Sequence, residues 1–247
     1  KQHITVLTGA SRGLGLAMAR QLRARGARLL TLSRHPDASL DGPDIEQWAI
    51  DLAQQPAEVA ARLAGWVSAL PRAQIASLSL INNAAGLATP APLHAGGATE
   101  MSAGMRVGLE ARVLLGAAFL NARGDLGVPR RLLNISSGLG RHAMAGSAVY
   151  CATKAGLDHL SRAVALEQAS LPNGAKVVSL APGVIDTDMQ VQLRGADPAL
   201  FPDRARFVGL KEGGQLDSAE TAAAKVLTWL DRADFGDEVV ADVRSAT

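Results

Sequence analysis

"TGASRGLG", residues 8–15, follows on from the β-branched run "ITVLT" (4–8) and leads into a helical pattern over 14–25. Gly9, Gly13 and Gly15 allow a sharp turn and leave the backbone bare at this strand-to-helix junction. Free N–H groups and the helix dipole make such a junction a place where a pyrophosphate can sit. A tight βα turn without any ligand uses glycines too, so the stretch alone leaves both readings open. Its spacing also departs from G-x-G-x-x-G, with three residues between the first two glycines.

Working outward, short β-branched runs alternate with longer helical patterns. "RLLTLS" (28–33), "IEQWAI" (45–50), "SLSLI" (77–81), "RLLNIS" (131–136), "KVVSLA" (176–181) and "EVVADV" (238–243) read as further strands. Val59, Leu63, Trp66, Val67 and Leu70 follow helical spacing, as do Leu157, Leu160 and Val164. Alternation of this kind implies right-handed crossovers and a sheet covered on both faces. The expected fold is α/β: one doubly wound Rossmann domain over 1–247, with a mainly parallel seven-stranded sheet flanked by helices. An irregular excursion at about 186–216, broken by Gly, Pro and Asp, is expected to cover a substrate.

Composition narrows the function classes. The chain has 247 residues, 48% of them hydrophobic, and 25 basic against 23 acidic side chains, without a long block of like charge. Nucleic acid and anionic membranes are therefore not expected partners. One cysteine, Cys151, excludes an internal disulfide framework, and the five histidines are scattered, so no metal site is expected. The apolar runs are too short to span a bilayer and no signal peptide precedes "HITVLTGA", so a cytoplasmic location is the expectation.

"SAVYCATK", residues 147–154, holds the only tyrosine of the chain. Tyr150 and Lys154 stand four apart and share one face of a helix. One reading is an amphipathic ring packed on a lysine stem. The other is a phenol whose proton moves.

Five ordered motifs carry a resemblance: "TGASRGLG", "DL" at 51–52, "NNAAG" at 82–86, "NISS" at 134–137 with "YCATK" at 150–154, and "PGVIDTDM" at 182–189. Together they resemble the short-chain dehydrogenase/reductase family from Thr8 to about Met189. The resemblance implies an NADP(H)-dependent reductase of a small-molecule carbonyl substrate. Tyr150 is then the general acid, Lys154 lowers its pKa and binds the nicotinamide ribose, and Ser137 hydrogen-bonds the substrate carbonyl. Ser136 is the lesser choice, since neighbouring strand residues face opposite ways. Gly9, Ser11, Arg12, Gly13, Leu14 and Gly15 hold the pyrophosphate end. Asp51 and Leu52 border the adenine, Asn83, Ala84, Ala85 and Gly86 line the cofactor, and Pro182, Gly183, Val184 and Thr187 hold the nicotinamide end. An acid at the end of the second strand selects NAD; Ser33 and Arg34 stand there instead, and Arg34 with Arg12 favours NADP through the 2′-phosphate.

The family's further asparagine, which holds a water in the proton relay, falls on Gly108, where a glycine is expected to leave room for water. "DTDMQ" and "FGDEVVADVR" resemble sepiapterin reductases and the bacterial benzil reductase group, which implies vicinal dicarbonyl or hydroxy-ketone substrates. Met189, Leu193, Phe201 and Phe207 are expected apolar walls, and Asp242 an anchor if the substrate is a pterin. A non-catalytic NADP-binding sensor or scaffold on the same fold is the alternative. Relatives pair through the helices after the fourth and fifth strands, so a homodimer or homotetramer is expected. Gly104, Gly108, Ala111 and Gly116 are small residues that admit a partner backbone or pack within the chain.

Overall fold

The computed structural model describes residues 1–86, 88–122 and 127–245. All seven expected strands form: β1 (Gln2–Thr8), β2 (Arg28–Ser33), β3 (Ile45–Ala49), β4 (Ile75–Asn82), β5 (Arg130–Ile135), β6 (Lys176–Ala181) and β7 (Val240–Asp242). They build one sheet in the order β3-β2-β1-β4-β5-β6-β7, with every neighbouring pair parallel. β7 is shorter than its sequence pattern, because only Val240–Asp242 pair in register with β6. The order reverses between β1 and β4, so a crevice opens beyond their carboxyl ends, where such sheets bind ligands.

The helices are α1 (Gly13–Ala24), α2 (Pro56–Ala69), α3 (Ala98–Met105), α4 (Ala111–Asn121), α5 (Ala148–Ala169), α6 (Asp188–Arg194), α7 (Arg204–Glu212) and α8 (Ala219–Asp231). α1 buries Leu14, Ala17, Met18 and Leu22, a stripe at helical spacing, against the sheet and α8. Proline starts α2, where its missing N–H costs nothing, and Val59, Leu63 and Val67 face inward beside α4. The strands have apolar clusters on both faces, so near-continuous apolar runs such as "RLLTLS" are what a parallel sheet requires.

Between α3 and α4 the backbone takes the wider π form over Arg106–Glu110. The extra residue rotates α4 relative to α3 and turns Ala111, Arg112, Leu115 and Phe119 inward. The stripe of small residues is used within the chain. A Cβ on Gly104 would lie 3.3 Å from Val149, one on Gly116 3.7 Å from Leu132, and Ala111 is fully buried.

The excursion beyond β6 is more regular than its sequence suggests. It contains α6 and α7, which pack Leu193, Phe201 and Phe207 with Met144 in a separate apolar cluster. Gly195 ends α6, and Phe201 stacks on Phe207 with ring centres 5.7 Å apart. Lys211 and Arg194 both pair with Asp186, and Lys211 holds that carboxyl below its usual range. Among the described residues no helix is long and apolar enough to cross a membrane.

Candidate active site

At the end of β1 the chain turns through Gly9 and Gly13 with φ of +73° and +52°, values that favour glycine. Gly15 is needed for a different reason. A Cβ there would lie 1.9 Å from the Gly9 carbonyl oxygen, so α1 can begin this close to β1 only with a bare backbone. Thr8 ties the neighbouring strand in place: its hydroxyl accepts from the N–H groups of Asn83 and Ala84, each at 2.9 Å. Asn83 Nδ2 donates to the carbonyls of Thr8 and Gly9. Ser33, at the end of β2, accepts from the Ala10 N–H at 3.0 Å and leaves Arg34 exposed beyond it. Across the groove, Arg12 pairs with Asp188 at 2.9 Å, both side chains largely exposed.

A cleft of about 1150 Å³ runs from this loop to α5. It gathers every sequence-predicted cofactor residue: Gly9 to Gly15 without Ala10, Arg34, Asp51, Leu52, Asn83 to Gly86, Pro182 to Val184 and Thr187. Ser137, Tyr150 and Lys154 line its other end, with Met189, Leu193 and Phe207. Bare glycines at the start of α1 and exposed arginines beside it form a cradle that fits a dinucleotide diphosphate.

Ser137 and Ser136 face apart. Ser137 hydrogen-bonds the Tyr150 phenol and accepts from the Leu139 N–H at 3.2 Å. Ser136 is buried and donates to Asp158 at 2.6 Å, a carboxylate that also accepts from Ser179. Lys154 is 2% exposed; its Nζ donates to the Ile135 carbonyl at 2.7 Å and lies 5.3 Å from the Tyr150 ring centre. Burial pushes the phenol above its usual pKa, opposed by the Ser137 hydrogen bond and the charge of Arg112. Burial, then repulsion from Arg112, pushes Lys154 well below the usual lysine range, while Asp158 opposes this.

A family model described as "short chain dehydrogenase" matches residues 3–197. The chain belongs to the short-chain dehydrogenase family. It is 31% identical over 237 residues to a benzil reductase ((S)-benzoin forming) of Bacillus cereus, covering 93% of this chain and 94% of that one. It is 33% identical over 251 residues to the sepiapterin reductase of Rattus norvegicus, covering 94% and 92%. A 3-oxoacyl-[acyl-carrier protein] reductase from Brucella melitensis, solved in complex with NAD, superposes with a TM-score of 0.80 at 25% identity, covering 98% and 96%.

Membership makes the chain an oxidoreductase with a nicotinamide dinucleotide site, and three features of this short-chain dehydrogenase depart from the expectations from its sequence. Gly108 leaves no room for water: a Cβ there would lie 2.8–3.0 Å from the Thr153 side chain, so α5 fills the space. Phe201 does not line the cleft; it is fully buried behind Phe207. Asp242 does not line it either. Both its carboxylate oxygens accept from Arg244, with Arg141 Nη1 at 4.0 Å, and the Arg244 hydrogen bond holds the carboxyl below its usual range. The spacing of two in "DVR" was a signal for that pairing; none in the sequence pointed to Arg112, which reaches the site from α4.

Proposed function

We propose that this short-chain dehydrogenase is an NADPH-dependent carbonyl reductase acting on ketones and vicinal dicarbonyls. The observation that carries the reading is the convergence of Ser137, Tyr150 and Lys154 at one end of a cleft whose other end is the glycine cradle. A nicotinamide dinucleotide bound along that cleft supplies the hydride for the carbonyl carbon. Ser137 bonds the carbonyl oxygen, and Tyr150 passes its proton to that oxygen as charge develops there. Burial, the largest influence on the phenol, keeps it protonated at neutral pH, the form that reduction requires. A sensor or scaffold would need the cradle but none of these three groups. Oxidation of NADPH with a panel of ketones and diketones separates the two, and no turnover with any of them would count against the enzyme.

The choice of NADP rests on Arg12 and Arg34, both at the groove, and on the lack of an acid at the end of β2. A 2′-phosphate there takes forked hydrogen bonds from guanidinium groups, with Arg12 exchanging its bond to Asp188. Arg34→Asp should weaken NADPH binding about tenfold to a hundredfold, the scale of one charged hydrogen bond, and NADH binding much less. Equal losses for the two cofactors in a fluorescence titration would remove the phosphate role.

For the substrate, Met144, Leu139, Leu193, Phe207 and Leu210 form an apolar wall beyond Tyr150, suited to aryl or alkyl groups flanking a dicarbonyl. The benzil reductase relative agrees with that chemistry. A pterin held by Asp242 would first have to displace Arg244 from both carboxylate oxygens, which disfavours the sepiapterin-type alternative. We also propose a homodimer through the outer faces of α4 and α5, where Val113 and Leu166 are 39% and 76% exposed. Light scattering at micromolar concentration should give a dimer or a multiple of it; a monomer rejects the pairing.

A further inference from the structure

A buried carboxylate stands behind the reacting groups, and the proposed chemistry leaves it unused. Asp158 is 2% exposed, and Tyr150, Lys154 and Asp158 stand four apart along one face of α5. Its Oδ1 accepts from the hydroxyls of Ser136 and Ser179, each at 2.6 Å. Its Oδ2 is buried without a hydrogen bond, and Arg141 Nε lies 3.5 Å away as an ion pair. One carboxylate therefore engages both ends of the segment 136–141, which carries Ser137. Ser136 to Leu139 and His142 line the cleft, whereas Gly140, Arg141 and Asp158 stand behind it.

Between these two holds the chain makes a single 3-10 turn, Gly138–Gly140. The Leu139 N–H donates to Ser137 Oγ and the Gly140 N–H to the Ser137 carbonyl, while the Arg141 and His142 N–H groups share the Gly138 carbonyl. These bonds shape the turn, and none of them reaches α5. The turn rests on α5 through bare backbone: a Cβ on Gly140 would lie 2.7 Å from Asp158 Oδ2 and 3.0 Å from the Lys154 carbonyl oxygen. A neutral amide oxygen would satisfy the two serine hydroxyls and would cost less to bury than a carboxylate. What the charge adds is the hold on Arg141. That guanidinium is fixed from its far side too, with Nη2 donating to the Ala241 carbonyl at 2.8 Å and Nη1 4.0 Å from Asp242 Oδ2. α5 and β7 thus grip one side chain at the end of the turn.

We propose that Asp158 is a positioning residue that clamps the segment 136–141 to α5 and so fixes Ser137 relative to Tyr150 and Lys154. The proposal rests on the reading of Ser137 as the group that bonds the substrate carbonyl oxygen. Ser136 sets where the segment leaves β5 and Arg141 sets where the turn ends, so Ser137 has little room to shift between them. A displacement of about 1 Å in a group that orients substrate can cost on the order of 10²-fold in rate. Ser136, which faces away from the cleft, is on this account the inner half of the clamp.

Asp158→Asn can still accept from the two serines but loses the charge that holds Arg141. It should lower kcat for diketone reduction about tenfold to a hundredfold, with the KM for NADPH close to wild type. Hydrogen exchange over residues 138–142 should be about tenfold faster, while β4 stays as protected as in wild type. A loss of global stability would speed exchange in both. In a Ser137→Ala background, adding Asp158→Asn should change kcat by less than about twofold, because the group being positioned is gone. The proposal fails if Asp158→Asn lowers kcat by the same factor in both backgrounds, or if exchange over 138–142 is unchanged. If Asp158→Asn does not fold, Arg141→Met opens the clamp from its partly exposed end and is held to the same outcomes. If Ser137→Ala keeps its turnover, the carbonyl-bonding reading falls, and exchange over 138–142 alone decides the clamp.

Discussion

Tyr150→Phe should lower kcat for ketone reduction by about 10²–10⁴-fold, the usual contribution of a positioned general acid. NADPH affinity should stay close to wild type. The variant removes one oxygen, whose hydrogen bond goes to Ser137, and leaves a ring beside Lys154 at the cleft wall. No described backbone contact depends on that oxygen, so the thermal midpoint should hardly move. The measurement is steady-state reduction of a diketone together with a cofactor titration. A variant that kept most of its kcat would show that another group delivers the proton, and Ser137 would be the first to test.

Gly15→Ala should be among the most damaging small changes in the phosphate cradle. Its methyl group would sit 1.9 Å from the Gly9 carbonyl oxygen and 2.6 Å from Asn83 Nδ2, so the loop and the start of α1 have to separate. Asn83 would then lose its hold on the Thr8 and Gly9 carbonyls, which links β4 to the cradle. Overpacking of this kind costs about 1–3 kcal/mol. In a chain of this size that lowers Tm by roughly 2–12 °C. The rise in Tm on adding NADPH should vanish, because the same backbone forms the phosphate cradle. Gly65→Ala is the matched control: it lies exposed in α2 with open space around it, and alanine there should add up to about 1 kcal/mol of stability. If Gly15→Ala kept both its Tm and its response to NADPH, the close approach of α1 to β1 would not be what makes the site.

What the sequence determined by itself was everything set by local spacing. Alternating β-branched runs located seven strands, because a strand buried on both faces must be apolar along its length. The glycine spacing located the cradle, and the four-residue interval between Tyr150 and Lys154 put both on one face of α5, since neighbours on a helix are fixed by its pitch. The two short helices of the excursion were less legible, because Gly195 and Pro202 interrupt a pattern too brief to show its period.

Only the tertiary structure decided which distant groups meet. "EARVLL" reads as a helix with two charged residues in it. Arg112 becomes an interior cation because the π turn over Arg106–Glu110 rotates α4 and the ends of β4 and β5 converge on carbonyls it can reach. The direction of Gly104 and Gly108 depended likewise on α5, where Val149 and Thr153 take up the space. Phe201 shows the same limit, since stacking behind Phe207 keeps it off the cleft wall. Periodicity records which face of an element is apolar, but a contact between residues far apart in the chain depends on rotation and register across the sheet, which no local pattern carries.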